Sequence, residues 1–145
     1  MKEFTFLMVL LFFIFNSFNL NAGGVHNKSQ KISYKVISYQ DGKTHIPQAF
    51  IKRANMMIVM TMNERNELIY MDNRWVNYES SSYGELVKTA IKNQYLWNPT
   101  NTYNDEHNAC VVTTYEKIGK SKSIRTFHIN VNHGKEKLVI VAERM

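Results

Sequence analysis

Five histidines are the side chains of this sequence best suited to proton transfer near neutral pH: His26, His45, His107, His128 and His133. His128 is the most informative, because it falls in an alternating segment beside Thr126 and Asn130 and near the cations Arg125 and Lys137. An imidazole beside a cation is what phosphodiester cleavage requires, the ring acting as acid or base while the cation meets the phosphate. In a small basic ribonuclease-like hydrolase that work would fall to His128 and His107, although the sequence fixes no second titratable group beside His128. His107 closes the run Asp105-Glu106-His107, three residue types able to ligate a metal. Adjacent loop residues rarely converge on one ion, and no HExxH or similar spacing accompanies them, so no metal site is expected. The single cysteine, Cys110, is flanked by Ala109, Val111 and Val112 and reads as a small buried apolar residue. One cysteine also excludes an internal disulfide framework and a Cys-based zinc cage. Glycine-rich nucleotide loops and a GxSxG elbow are missing, so no cofactor is expected and a non-catalytic role is preferred to an enzymatic one.

Two other groupings point to binding. Lys117, Lys120, Lys122, Arg125, Lys135 and Lys137 gather around two C-terminal hairpins, in a chain with 18 basic and 12 acidic side chains. They could meet a polyanion, or they could keep hairpin tips soluble. The second grouping is apolar. Met56-Met57-Ile58-Val59-Met60-Thr61-Met62 is hydrophobic on both faces and leads through Asn63-Glu64-Arg65-Asn66 into Glu67-Leu68-Ile69-Tyr70-Met71. A hairpin with that four-residue loop sets Met60 opposite Ile69 and Ile58 opposite Met71, with Val59 opposite Tyr70 on the other face. Flexible thioethers suit an adaptable apolar pocket. Its lining would be Ile58, Met60, Ile69 and Met71, with Tyr70 or Trp75 at the rim, although plain core packing gives the same pattern.

The elements that would position these residues are mostly strands. Lys31 to Gln40 is rich in β-branched and aromatic residues and ends at an Asp41-Gly42 turn. His45 to Ala54 reads as irregular, with room for a helical turn behind Pro47. Asp72-Asn73 marks a turn or bulge before a strand over Arg74 to Tyr78. The period then changes: apolar positions 83, 86, 87, 90 and 91 follow one helical face, Ser82 and Glu85 form a capping box, and Asn98-Pro99 supplies a stop. This predicts an amphipathic helix from about Tyr83 to Tyr95, with Tyr95, Leu96 and Trp97 plugging one end of a β core. After a polar loop to Asn108, strands are expected over Ala109 to Ile118, Ser123 to Val131 and Glu136 to Glu143, the first two joined by a turn at Gly119 to Lys122. A two-residue loop at His133-Gly134 would set Ile129 opposite Leu138 and Phe127 opposite Ile140.

The run from Phe4 to Phe15 is apolar except for Thr5, and Asn16, Ser17 and Asn19 interrupt it before it reaches a membrane-spanning length. It reads as a secretory signal peptide over residues 1–22, followed by a flexible leader over 23–30 and one β-rich domain over 31–145. Cleavage would leave 17 basic and 11 acidic side chains and no permanent membrane anchor. This layout, an apolar leader followed by hairpins, one helix and a late Cys110-Val111-Val112 strand, resembles small exported bacterial β-rich proteins of uncharacterised function. The resemblance carries no functional residue with it. The expected fold is mainly β: an antiparallel curved sheet, sandwich or partly closed barrel of about seven strands with one amphipathic helix. The expected role is a secreted or periplasmic binding protein for a small apolar ligand or an envelope or extracellular protein, the alternatives being the ribonuclease-like hydrolase and a polyanion-binding module.

Overall fold

Alternating side chains place every second residue of a strand on one face, so a closed sheet can hold one set inside and turn the other to solvent. The computed structural model describes residues 28–99, 110–131 and 136–145. Nine antiparallel strands run through them: β1 (Gln30–Asp41), β2 (Thr44–His45), β3 (Met56–Met62), β4 (Leu68–Trp75), β5 (Ser80–Lys88), β6 (Gln94–Trp97), β7 (Cys110–Ile118), β8 (Ser123–Val131) and β9 (Glu136–Arg144). A short helix, α1 (Gln48–Ala54), precedes β3, and a 3-10 turn over Val76–Tyr78 follows β4. From β3 to β9 each strand pairs with the next, and β1 pairs with both β3 and β9, so eight strands close into an up-and-down barrel. The two-residue β2 is an extra strand on the free end of β1.

Closure depends on β1 serving two neighbours. Gln30 to Lys35 pair with β3, and Tyr34 to Asp41 pair with β9. A bulge between Val36 and Ser38 interrupts the second ladder. The carbonyl of Ile37 accepts a hydrogen bond from Gln48 Nε2 of α1 at 2.6 Å, which ties the helix to the bulge. Inward-facing Tyr34, Ile58, Met60, Met71, Phe127 and Ile140 are completely buried and fill the middle of the barrel. At the end where β1 begins, the interior becomes polar. Arg125 lies over the Tyr34 ring at 5.5 Å and donates from Nε to the Tyr34 hydroxyl at 3.1 Å, from Nη1 to Thr114 Oγ1 at 3.3 Å and from Nη2 to Glu116 Oε2 at 3.4 Å. The Tyr34 hydroxyl in turn donates to Glu116 Oε1 at 3.3 Å. The opposite end, where α1 sits, is less completely filled.

Several expectations need correction. The amphipathic helix over Tyr83 to Tyr95 does not form; β5 and β6 occupy that stretch, joined by a tight turn. Thr89 Oγ1 accepts from the Ile91 amide at 3.2 Å, the Thr89 amide donates to the Gln94 carbonyl at 3.0 Å, and Asn93 takes a left-handed backbone, φ 61°. As a strand the segment still buries Leu86, while Val87 turns outward. The helix that forms is α1, behind Pro47. Asp72 and Asn73 are neither turn nor bulge but lie within β4, which ends at Trp75, and Val76 to Tyr78 form the 3-10 turn. The β3–β4 register is displaced by two residues, with Met60 opposite Met71 and Ile58 opposite Asn73, because the loop is longer and a bulge follows Thr61. The expected mainly β fold with an antiparallel sheet closing into a barrel and one helix is the one that forms; among the described residues the strands number nine, eight in the barrel and one extra, where about seven were expected. The β8–β9 register is as expected, Ile129 opposite Leu138 and Phe127 opposite Ile140. Residues 1–27, His107, His133-Gly134 and Lys135 lie outside the described residues.

Breaking one half of a buried ion pair leaves an uncompensated charge and costs about 3 kcal/mol or more, whereas an apolar replacement of both halves is often nearly neutral. Both side chains of the Arg125–Glu116 pair are largely buried. Glu116→Ala is therefore expected to lower unfolding free energy by about 3 kcal/mol, with most of the loss recovered by Glu116→Leu combined with Arg125→Met. Urea denaturation of the three proteins measures it; equal stability of wild type and Glu116→Ala would show the network to be energetically idle.

Candidate functional site

The helix end of the barrel holds a half-open chamber of about 330 Å³. Its origin lies in the side chains that β5 contributes. Trp75 of β4 faces Ser80 and Asn73 faces Ser82, so two small residues stand where large ones would fill the interior. Ile129, Val131 and Leu138 form an apolar wall opposite, and Trp97 and Cys110, paired across β6 and β7, line the chamber as well. Gly84 governs how the chain leaves β6. A Cβ at this position would lie 1.9 Å from the Asn98 carbonyl oxygen, so the backbone of Asn98 and Pro99 crosses β5 where only glycine leaves room, and Pro99 joins the lining.

An aromatic ladder holds the rim in place. Tyr39 meets Trp75 edge to face at 6.4 Å, Trp75 meets Phe50 of α1 at 5.6 Å, and Phe50 stacks on Tyr78 of the 3-10 turn at 5.8 Å. The turn is fastened to the helix terminus, with Asn77 Nδ2 donating to the Arg53 carbonyl at 2.8 Å and the Val76 amide to the Asn55 carbonyl at 3.3 Å. Such edge-to-face contacts fix ring orientation beyond what burial alone supplies.

Two polar atoms in this lining are buried without a partner among the described residues: the Nε1–H of Trp97, a donor, and Oδ1 of Asn73, an acceptor. Trp97 is only 4% exposed. A polar group buried without a hydrogen bond costs about 1–3 kcal/mol, so native interiors rarely leave one unmet, and here two of opposite sense belong to side chains that line one small space. Among the described residues the titratable side chains of the lining are Tyr39, Cys110 and Glu136, with no lysine or arginine. Burial, with a contribution from the Asp41 charge, pushes the Tyr39 hydroxyl up to about 12. Burial also raises the Cys110 thiol, again with an acidic neighbour, Glu136, adding to the shift. Both groups therefore stay protonated near neutral pH. The arrangement suits recognition of a neutral molecule, apolar over most of its surface, that accepts from Trp97 and donates to Asn73.

Of the residues expected to line a pocket, only Trp75 does so in this chamber. Ile58, Met60 and Met71 are packed in the barrel centre, Ile69 is exposed, and Tyr70 faces outward on β4. Asn73, Trp97, Ser80, Ser82 and Tyr39 were not anticipated as lining; the available signal was the Ser80-Ser81-Ser82 run close behind Trp75. His128 projects outward and stacks on Tyr115 at 6.1 Å, whereas Arg125, three positions earlier, points into the barrel, so the two do not share a site. His107 falls outside the described residues, and among the described residues no group of three His, Cys, Asp or Glu side chains could hold a metal ion. The lysine cluster divides. Lys117, Lys120 and Lys122 are at the end of the β7–β8 hairpin, where Lys122 Nζ reaches Glu143 Oε2 at 3.5 Å, while Lys137 is at the other end of β9. Arg125 is withdrawn into the interior network.

Comparison with protein-family models, with curated proteins and with solved structures returns no match.

Two consequences can be measured. Gly84→Ala must displace Asn98 and Pro99, so it is expected to cost several kcal/mol, on the order of an overpacked core substitution, in urea denaturation; an unchanged midpoint would refute the close approach. Tyr39, raised in the folded state, favours folding fully below its unfolded value of 10.0, and that contribution disappears as pH rises through about 12. The loss is about 3 kcal/mol at ~1.4 kcal/mol per pH unit. Stability measured from pH 9 to 12 is expected to fall less steeply in Tyr39→Phe than in wild type, part of the slope remaining because Tyr34 is also raised by burial.

Proposed function

We propose that the protein is an exported, non-catalytic binding protein whose chamber takes a one- or two-ring, mostly apolar, uncharged ligand carrying a hydrogen-bond acceptor and a donor. The observation that carries this reading is the pairing of Trp97 Nε1–H with Asn73 Oδ1 as orphaned donor and acceptor in one otherwise largely apolar space. The volume, about 330 Å³, lies at the lower end of the range for small-molecule sites, roughly 300–1,000 Å³. Among the described residues no basic side chain lines the chamber, so none of them offers an anionic ligand a counter-charge. Export is supported by the apolar leader after Lys2 and Glu3. Charged side chains on the outward positions, including Lys31, Lys35, Glu85 and Glu143, suit a barrel surrounded by water rather than one whose outer band faces lipid. No helix among the described residues is long and apolar enough to cross a membrane.

The chain has two tryptophans, and both line the chamber, so intrinsic fluorescence reports occupancy directly. Titration with quinolin-2-one, a planar bicyclic lactam with adjacent donor and acceptor, is expected to change the emission saturably, whereas naphthalene, similar in shape but without polar groups, should bind about tenfold or more weakly. Asn73→Leu should remove that preference without weakening naphthalene. Equal affinity for both probes, or no saturable response to either, would defeat the proposal.

A further inference from the structure

The outer wall of the barrel contains a second feature, on the other face of the sheet from the chamber and sharing with it Ser80 at the end of β5. A groove of about 640 Å³ runs over the outward face of β3, β4 and β5. Tyr70 and Tyr83, diagonal neighbours on adjacent strands, lie near parallel in it, with ring centroids 6.4 Å apart and planes inclined by 26°. Asp72, two residues beyond Tyr70 on β4, stands opposite Tyr83 on β5 and Val59 on β3.

Asp72 is the anomaly. It points away from the barrel core, where a carboxylate is ordinarily hydrated, yet it is only 8% exposed. Its Oδ2 accepts from Arg74 Nε at 2.6 Å. Its Oδ1 is buried and has no donor among the described residues. A half-satisfied buried carboxylate needs a donor, and the groove is where one can arrive.

We infer that this groove is a binding site for a neutral saccharide. Four charged side chains line it, Lys31 and Arg74 against Asp72 and Glu79, so the charges balance and neither a cation nor an anion is selected. A sugar with neighbouring hydroxyls satisfies the geometry: one hydroxyl donates to Asp72 Oδ1, and the next accepts from the outer nitrogens of the half-exposed Arg74. The C–H face of the pyranose covers the tyrosine rings, whose faces carry the negative part of the ring quadrupole. Ser81, outward like Tyr83 and also in the lining, supplies a further hydroxyl partner. An open groove suits a chain of sugar units, which enters sideways and remains partly hydrated.

Saturation-transfer NMR on the protein purified after expression of the full-length chain tests this with maltotriose, cellotriose and mannotriose as neutral probes, and with glucuronic acid and glucosamine as charged ones. At least one neutral trisaccharide is expected to receive saturation at its ring C–H protons, with a Kd on the order of 1 mM. Asp72→Ala and, independently, Tyr70→Ser should each weaken it at least tenfold, while quinolin-2-one fluorescence at the chamber is unchanged by Tyr70→Ser. Tyr70 is partly exposed on the outer face, so its variant remains informative if Asp72→Ala unfolds. No transfer to any neutral trisaccharide at 10 mM, transfer that survives both substitutions, or transfer confined to the charged sugars would overturn the assignment.

Discussion

The barrel rests on one constraint: β1 has to be long enough, and bent enough, to complete two ladders. Its 12 residues pair with β3 through the first half and with β9 through the second. The bulge at Ile37 makes the turn between them and shifts the alternation by one place. Ile32, Tyr34 and Val36 face inward before it, and Tyr39 faces inward after it. A bulge re-aims every side chain that follows. Here it delivers Tyr39 to the chamber wall, and the carbonyl it leaves out of the ladder is the one that Gln48 holds. Closure, the seating of α1 and the shape of the site therefore share a single irregularity.

The interior divides along the barrel axis into three chemistries. The centre is dry and fully occupied. At the end where β1 begins, Arg125 uses Nε, Nη1 and Nη2 on three interior partners, so its charge is matched by hydrogen bonds as well as by Glu116. At the helix end, Trp97 Nε1–H and Asn73 Oδ1 go unmatched among the described residues. The contrast within one interior gives the chamber its meaning, because the same fold satisfies buried polar groups thoroughly where no ligand space adjoins them. The outer groove repeats the logic on a smaller scale, with one oxygen of Asp72 matched and the other, among the described residues, not.

How much of this was legible in the sequence depended on whether side-chain alternation was strict. In β8 and β9 the faces differ sharply, Phe127 and Ile129 against His128 and Asn130, and the register follows from the residues. In β3 both faces are apolar, so a slip of two residues left the hydrophobic pattern intact and the partners of Met60 and Ile58 were misassigned. The segment from Tyr83 was ambiguous in another way, because its spacing fits a helix as well as a strand that buries Leu86 and exposes Val87. The counter-signals were local: three serines, Gly84, and a Thr89 to Asn93 stretch with turn chemistry. Trp75 could be suspected as a site residue from its position. Asn73 and Trp97 could not, since whether a polar atom lacks a partner is fixed by the packing of β4 and β6 on either side of β5.

The meander also orders events in time. From β3 to β9 every ladder joins consecutive strands, so contacts can accumulate in the order of synthesis. The β1–β9 ladder is different, pairing Tyr34 with Arg144 across most of the chain. Until residue 144 has emerged, a nascent chain keeps the far half of β1 and the outer side of β8 as bare edges, and the cylinder stays an open ribbon. The ninth strand is thus the one that shuts the vessel, and the longest loop closure among these ladders falls to it.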